Sequence, residues 1–137
     1  MVFDLFFVVL LILIAIEDSR TRTIPNYYPL SIFILSFLDS PAWRVAISGI
    51  LMGLLFLIIA ALSKNQLGGG DVKLIAALGA YLGIIGATFS VVIGLAAAVA
   101  MEILVKRNLK ESFPLGPYLS VSSILVVVIK ATIIKMN

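Results

Sequence analysis

The strongest constraint on this sequence is the length of its apolar blocks. Residues 45–62 carry no charge at all, and residues 74–105 carry a single one, Glu102. A hydrocarbon core about 30 Å thick takes roughly 20 helical residues, so blocks of this kind are solvated by lipid. Composition agrees, with 62% of residues hydrophobic and 12% charged. A soluble domain of this size needs about a quarter of its residues charged to cover its surface. The expected architecture is therefore an all-α, polytopic integral membrane helix bundle, one domain over residues 1–137.

Polar punctuation divides the chain into apolar blocks at 5–16, 27–38, 45–62, 74–105 and 118–134. The first lacks a basic leading region and a small-residue cleavage site, and Glu17 and Asp18 follow it directly, so it reads as a retained helix. Pro25 and Pro41 bound the second block, because proline disfavours helical geometry in the residue before it. Residues 74–105 as one helix would be about 48 Å long, more than a bilayer accommodates. A turn within 83–90, where Gly83, Gly86 and Thr88 cluster, gives two helices there and about six transmembrane helices in all. With the N-terminus outside, seven of the ten basic residues then face the cytoplasm, against Arg44, Lys130 and Lys135 outside. Merging the block into one span leaves six against four. In the six-span arrangement Asp18 closes the first helix and Asp71 opens the fourth, both on the cytoplasmic side.

The chain has no cysteine and no histidine. That excludes disulfides, thiolate catalysis, Ser-His nucleophile systems and the usual zinc ligand sets. A net charge of +3 scattered among spans does not suit nucleic-acid binding. Hydrolytic chemistry is left to carboxylates, hydroxyls, lysines or a carboxylate-bound ion. Two carboxylates at one membrane depth can share a proton, activate a water and protonate a leaving amine. Gly68, Gly69 and Gly70 lack a Cβ, so positive φ and close backbone approach to Asp71 are expected there. They also set Asp71 near a helix N-terminus, where the dipole favours a carboxylate.

Pro25 and Asn26 are expected to shape the turn that aims Asp18. Lys73 reads either as a substrate or Asp71 contact or as a charge anchor. Arg20 and Arg22 read as headgroup anchors, and Trp43, Tyr27, Tyr28 and Tyr118 as interfacial aromatics. Glu17 points about 100° away from Asp18. Glu102 is either functional or a snorkelling side chain, with the interface favoured. Gly79 and Gly83 have small-xxx-small spacing, which suits helix packing. A different class of function also fits intramembrane acids: a small ion or proton-coupled transporter using Asp18, Asp71 and Glu102.

Two segments, Asp18-Ser-Arg-Thr-Arg-Thr-Ile-Pro-Asn26 and Gly68-Gly-Gly-Asp-Val-Lys-Leu74, together resemble the type IV prepilin peptidases. In that family a first aspartate precedes an Ile/Leu-Pro-Asn/Asp turn and a second lies in Gly-x-Gly-Asp-x-Lys-Leu. Phe113-Pro-Leu-Gly-Pro-Tyr118 looks like the family's Pro-x-Gly-Pro element before the last helix. The resemblance implies a membrane aspartyl endopeptidase with Asp18 and Asp71 as the catalytic pair, and no metal or cofactor. It implies substrate-binding or site-shaping roles for Pro25, Asn26, Gly68, Gly70, Lys73, Pro114, Gly116 and Pro117. The implied partner is a prepilin or pseudopilin, whose short basic leader is cut at the cytoplasmic face of the inner membrane, just before a hydrophobic helix. Larger bacterial members carry a cytoplasmic insert with paired Cys-x-x-Cys motifs and methylate the new N-terminus. The absence of cysteine here argues against that insert and against N-methylation. The pattern looks like the short forms that serve Flp-type pili, with an archaeal-type preflagellin peptidase as the other possibility. Presenilin-like proteases share only the Gly-x-Gly-Asp element. A non-catalytic factor that docks pilins is a further reading.

Overall fold

Proline and glycine positions set the helix ends. The computed structural model describes residues 2–62, 68–105 and 115–136, and these form helices α1 (Val2–Thr21), α2 (Tyr27–Asp39), α3 (Ala42–Leu62), α4 (Gly69–Val105) and α5 (Gly116–Met136). Helix α1 stops where Arg22 takes the left-handed conformation at φ 54°, its N–H donating to the Asp18 carbonyl at 2.9 Å. This is a common way of closing a helix. Helix α2 starts directly after Ile24-Pro25-Asn26. It ends at Ser40, which is extended at φ −134°, ψ 156° because Pro41 follows.

Side-chain periodicity then decides which face of α1 turns inward. Phe7, Leu11, Ile14 and Asp18 are its buried residues, a stripe at helical spacing. Asp18 thus continues an apolar face, and its burial follows from the register of the helix. At the other end of α1, Phe7 stacks on Tyr81 with ring centroids 3.9 Å apart, and the Tyr81 hydroxyl donates to Asp4 Oδ1 at 3.0 Å. The outer faces of the helices carry large exposed apolar side chains such as Leu54, Leu55, Ile58, Ile85 and Ile103. Patches of this kind suit a membrane protein.

The expected count of about six transmembrane helices is not met in that form. Among the described residues there are five helices, of which α3, α4 and α5 are long and apolar enough to cross a membrane. Helix α2 is apolar but has 13 residues, and α1 carries Asp4, Glu17, Asp18 and Arg20. The difference lies partly in α4, which runs through the expected turn as one element yet contains a non-helical residue, Gly83, at φ 75°, ψ 173°. Neighbours on either side of Gly83 give the direction of each arm. Gly79 lies against Met52 and Ser48, and Gly49 against Ala76 and Ala80, so the first arm runs antiparallel to α3. Gly86 lies near Val126 and Gly94 against Leu119 and Ser122, so the second arm runs antiparallel to α5. Helix α1 runs antiparallel to the first arm, with Phe7 by Tyr81 and Asp18 by Asp71. It also runs antiparallel to α5, with Asp18 by Gly116 and Ile12 by Ile124. The two arms therefore point opposite ways, and the chain reverses at Gly83. The packing expectation for Gly79 holds, whereas Gly83 has no atom within 4 Å of where a Cβ would sit and serves as the break.

A hydroxyl cluster ties the second arm to α5. Ser90 Oγ lies 2.5 Å from Ser123 Oγ and 3.2 Å from Ser122 Oγ, while both partners also bond the Leu119 carbonyl. The result of these directions is that the C-terminal ends of α1 and α3 and the N-terminal ends of α2, α4 and α5 gather at one end of the bundle.

Candidate active site

At that end, Asp18 and Asp71 line one cavity of about 280 Å³, together with residues 22–24 and 68–70. Asp18 is 4% exposed, and its Oδ2 accepts the Gly116 N–H at 2.9 Å. This bond runs from the first turn of α5 to the last turn of α1. It requires glycine, since a Cβ on residue 116 would lie 2.5 Å from Asp18 Oδ2 and 2.8 Å from its Cγ. Pro117 follows in the first turn of α5, where a missing N–H leaves no intrahelical bond unmade. Pro114 lies outside the described residues.

Asp71 is carried by the first turn of α4. Its own N–H and that of Val72 bond the Gly68 carbonyl at 3.0 and 3.3 Å, so Gly68 opens the helix. The expectation of positive φ in the glycine triplet is not met: among the described glycines only Gly83 has it. The triplet acts through closeness instead. A Cβ on Gly70 would meet Ile24 at 3.2 Å, and one on Gly68 would meet Asp71 Oδ2 at 3.1 Å. The segment after α1 is thereby drawn against the start of α4, which brings the two acids to one hollow.

Lys73 and Asn26 meet each other. The Lys73 Nζ donates to Asn26 Oδ1 at 2.8 Å, joining the first turn of α4 to the entrance of α2. Asn26 makes no side-chain cap to its own helix. Pro25 contributes its carbonyl, which accepts the Tyr28 N–H at 3.2 Å. Lys73 is not part of the cavity lining, whereas Arg22, expected at the headgroups, is. Arg22 follows the last residue of α1 and its N–H bonds the Asp18 carbonyl, a placement that a basic residue near a span end does not signal. Thr23 also lines the cavity. Its hydroxyl donates to Thr21 Oγ1 at 3.1 Å, and Thr21 in turn bonds the carbonyls of Glu17 and Thr23. The cavity wall is thus a polar turn braced from within.

Comparison with known proteins agrees with these segments. Residues 5–105 match the family model described as the type IV leader peptidase family. The chain is 40% identical, over 134 residues, to the prepilin leader peptidase/N-methyltransferase of Bacillus subtilis (strain 168). That alignment covers 87% of this chain and 52% of the relative. The chain therefore spans about half the length of the curated relative it matches. No solved structure matches it.

Proposed function

Because the chain belongs to the type IV leader peptidase family, we propose that it is an aspartic-type endopeptidase that removes the leader from prepilin-like substrates. The observation that carries this reading is the shared cavity: two acids from distant helices face one hollow large enough for a peptide bond and a water. Two carboxyls so placed resist double ionisation, and the pair holds one proton between them. The ionised member takes a proton from water as the water oxygen attacks the scissile carbonyl. The protonated member donates to the carbonyl oxygen, and a proton then passes to the amine as the C–N bond breaks. The Gly116 N–H fixes one oxygen of Asp18, which leaves its other oxygen for the water.

In the membrane, the reversal at Gly83 makes α4 a pair of crossings, so the proposed chain crosses six times within an inner membrane. Arg20, Arg22 and Lys73 lie at the dyad end, and Lys64, Lys106, Arg107 and Lys110 fall in sequence between helix ends that meet there. The positive-inside tendency then puts the dyad at the cytoplasmic face. A short basic leader, as on type IV or Flp-type pilins, reaches it from that side.

The test is co-expression with a candidate prepilin, following the leader by gel shift. Asp18→Asn and Asp71→Asn, tested separately, are each expected to lower processing by roughly 10²–10⁴-fold or more. Processing by both variants at the wild-type rate would remove the dyad from the chemistry. Ion flux in liposomes without any processing would favour a transporter.

A further inference from the structure

The dyad cavity does not end at the carboxylates. A second groove, of about 450 Å³, lies between the last turns of α3 and the first turn of α4. Its walls are Leu57, Ala60, Ala61 and Val72, with Lys73 at the rim. Gly68 and Gly69 line both this groove and the cavity that holds Asp18 and Asp71. We infer that this α3–α4 groove receives the apolar segment of the substrate that adjoins the cut bond, which passes over Gly68 and Gly69 to reach the dyad. The inference rests on the peptidase reading and adds where on the enzyme the substrate lies.

Three features support that occupant. The first is continuity. A polypeptide in the groove reaches the carboxylates by crossing two residues without side chains, and among the described residues a Cβ at Gly69 would meet nothing within 4 Å. An acyl chain could fill the groove, but its contents would have no reason to continue to two acids.

The second feature is the wall. Ala60, Ala61, Gly68 and Gly69 are the small residues that let another helix backbone approach closely inside a membrane. The third is the change in chemistry along the path. Among the described residues, one side of the glycines offers Arg22, Thr23 and the acids, and the other offers aliphatic groups and Lys73, whose Nζ is bonded to Asn26. A substrate fitted to both is polar on one side of its cut bond and apolar on the other. The groove between α1 and α5, lined by residues such as Ile12, Ile16 and Ile124, shares no residue with the dyad cavity and makes an internal control.

The absence of native cysteine makes the test direct. Ala61→Cys or Ile16→Cys is placed in the Asp71→Asn protein, in liposomes with a prepilin bearing one cysteine in the first apolar turn after its cut bond. With a short bismaleimide, Ala61→Cys is expected to cross-link at least about tenfold more than Ile16→Cys. Equal yields, the reverse order, or no cross-link at either site would overturn the groove assignment. In the active protein Gly69→Leu is expected to raise KM at least about tenfold, with Tm held; unchanged KM would count against the passage. If wild-type protein processes no prepilin, the peptidase reading fails and the groove with it. If it processes and the cross-link forms at Ile16→Cys, the groove alone fails.

Discussion

Asp18 depends on a glycine far away in the chain. Its Oδ2 and the Gly116 backbone are so close that any side chain at 116 displaces the carboxylate. Gly116→Ala is therefore expected to lower processing by about 10²-fold, since a shift near 1 Å at a reacting group costs that much. Gly68→Ala puts its Cβ at 3.1 Å from Asp71 Oδ2, against 2.5 Å for Gly116 and Asp18 Oδ2. It should cost clearly less, and parallel rate and Tm measurements on purified variants check the order. Both acids were singled out in the sequence because each sits at the edge of an apolar block beside a turn signal. Gly116 was named only through the family resemblance, and its bond to Asp18 was not foreseen, because no local pattern announces a hydrogen bond between the first and last helices. The place of Arg22 in the cavity lining was hidden for a related reason: sequence shows only a basic residue near a span end.

Among the elements, α4 carries the largest local cost. Gly83 sits at φ 75°, ψ 173° with open space around it, a conformation restricted almost entirely to glycine. Gly83→Ala is expected to destabilise the fold by about 1–3 kcal/mol through the backbone alone, read as a lower denaturation midpoint in detergent. The turn was foreseeable because a helix through residues 74–105 would overshoot the bilayer. The glycine that makes it was not singled out, since Gly83, Gly86 and Thr88 signal a break equally well. Helix α2 shows the opposite case: Pro25 and Pro41 fixed its ends to within a few residues. Its entrance is held by Lys73 and Asn26, and a double-mutant cycle with Lys73→Met and Asn26→Ala should give a coupling of roughly 0.5–1.5 kcal/mol. Additive effects would mean the contact is idle.

At the scale of the whole molecule, the helices sort their ends into two groups, and the proposed orientation puts one group on each side of the membrane. Thr21 and Asp39 belong to opposite groups and are exposed. A membrane-impermeant thiol reagent should label Asp39→Cys in right-side-out vesicles and Thr21→Cys in inverted ones. Labelling of both from one side would contradict the proposed orientation. Hydropathy made the helical class plain, while the number of crossings was obscured by α1 and α2, one acidic and the other short. The stack of Phe7 on Tyr81 has a further consequence. It joins α1 to the Asp71-bearing arm of α4 at the extremity farthest from the two acids, like the rivet of a pair of tongs. From Phe7 to Asp18 the lever is about 16.5 Å long at 1.5 Å per residue. Swinging α1 by about 5° about that rivet would carry the Asp18 end by roughly 1.4 Å, a displacement that the Gly116 bond at the far tip of the lever resists.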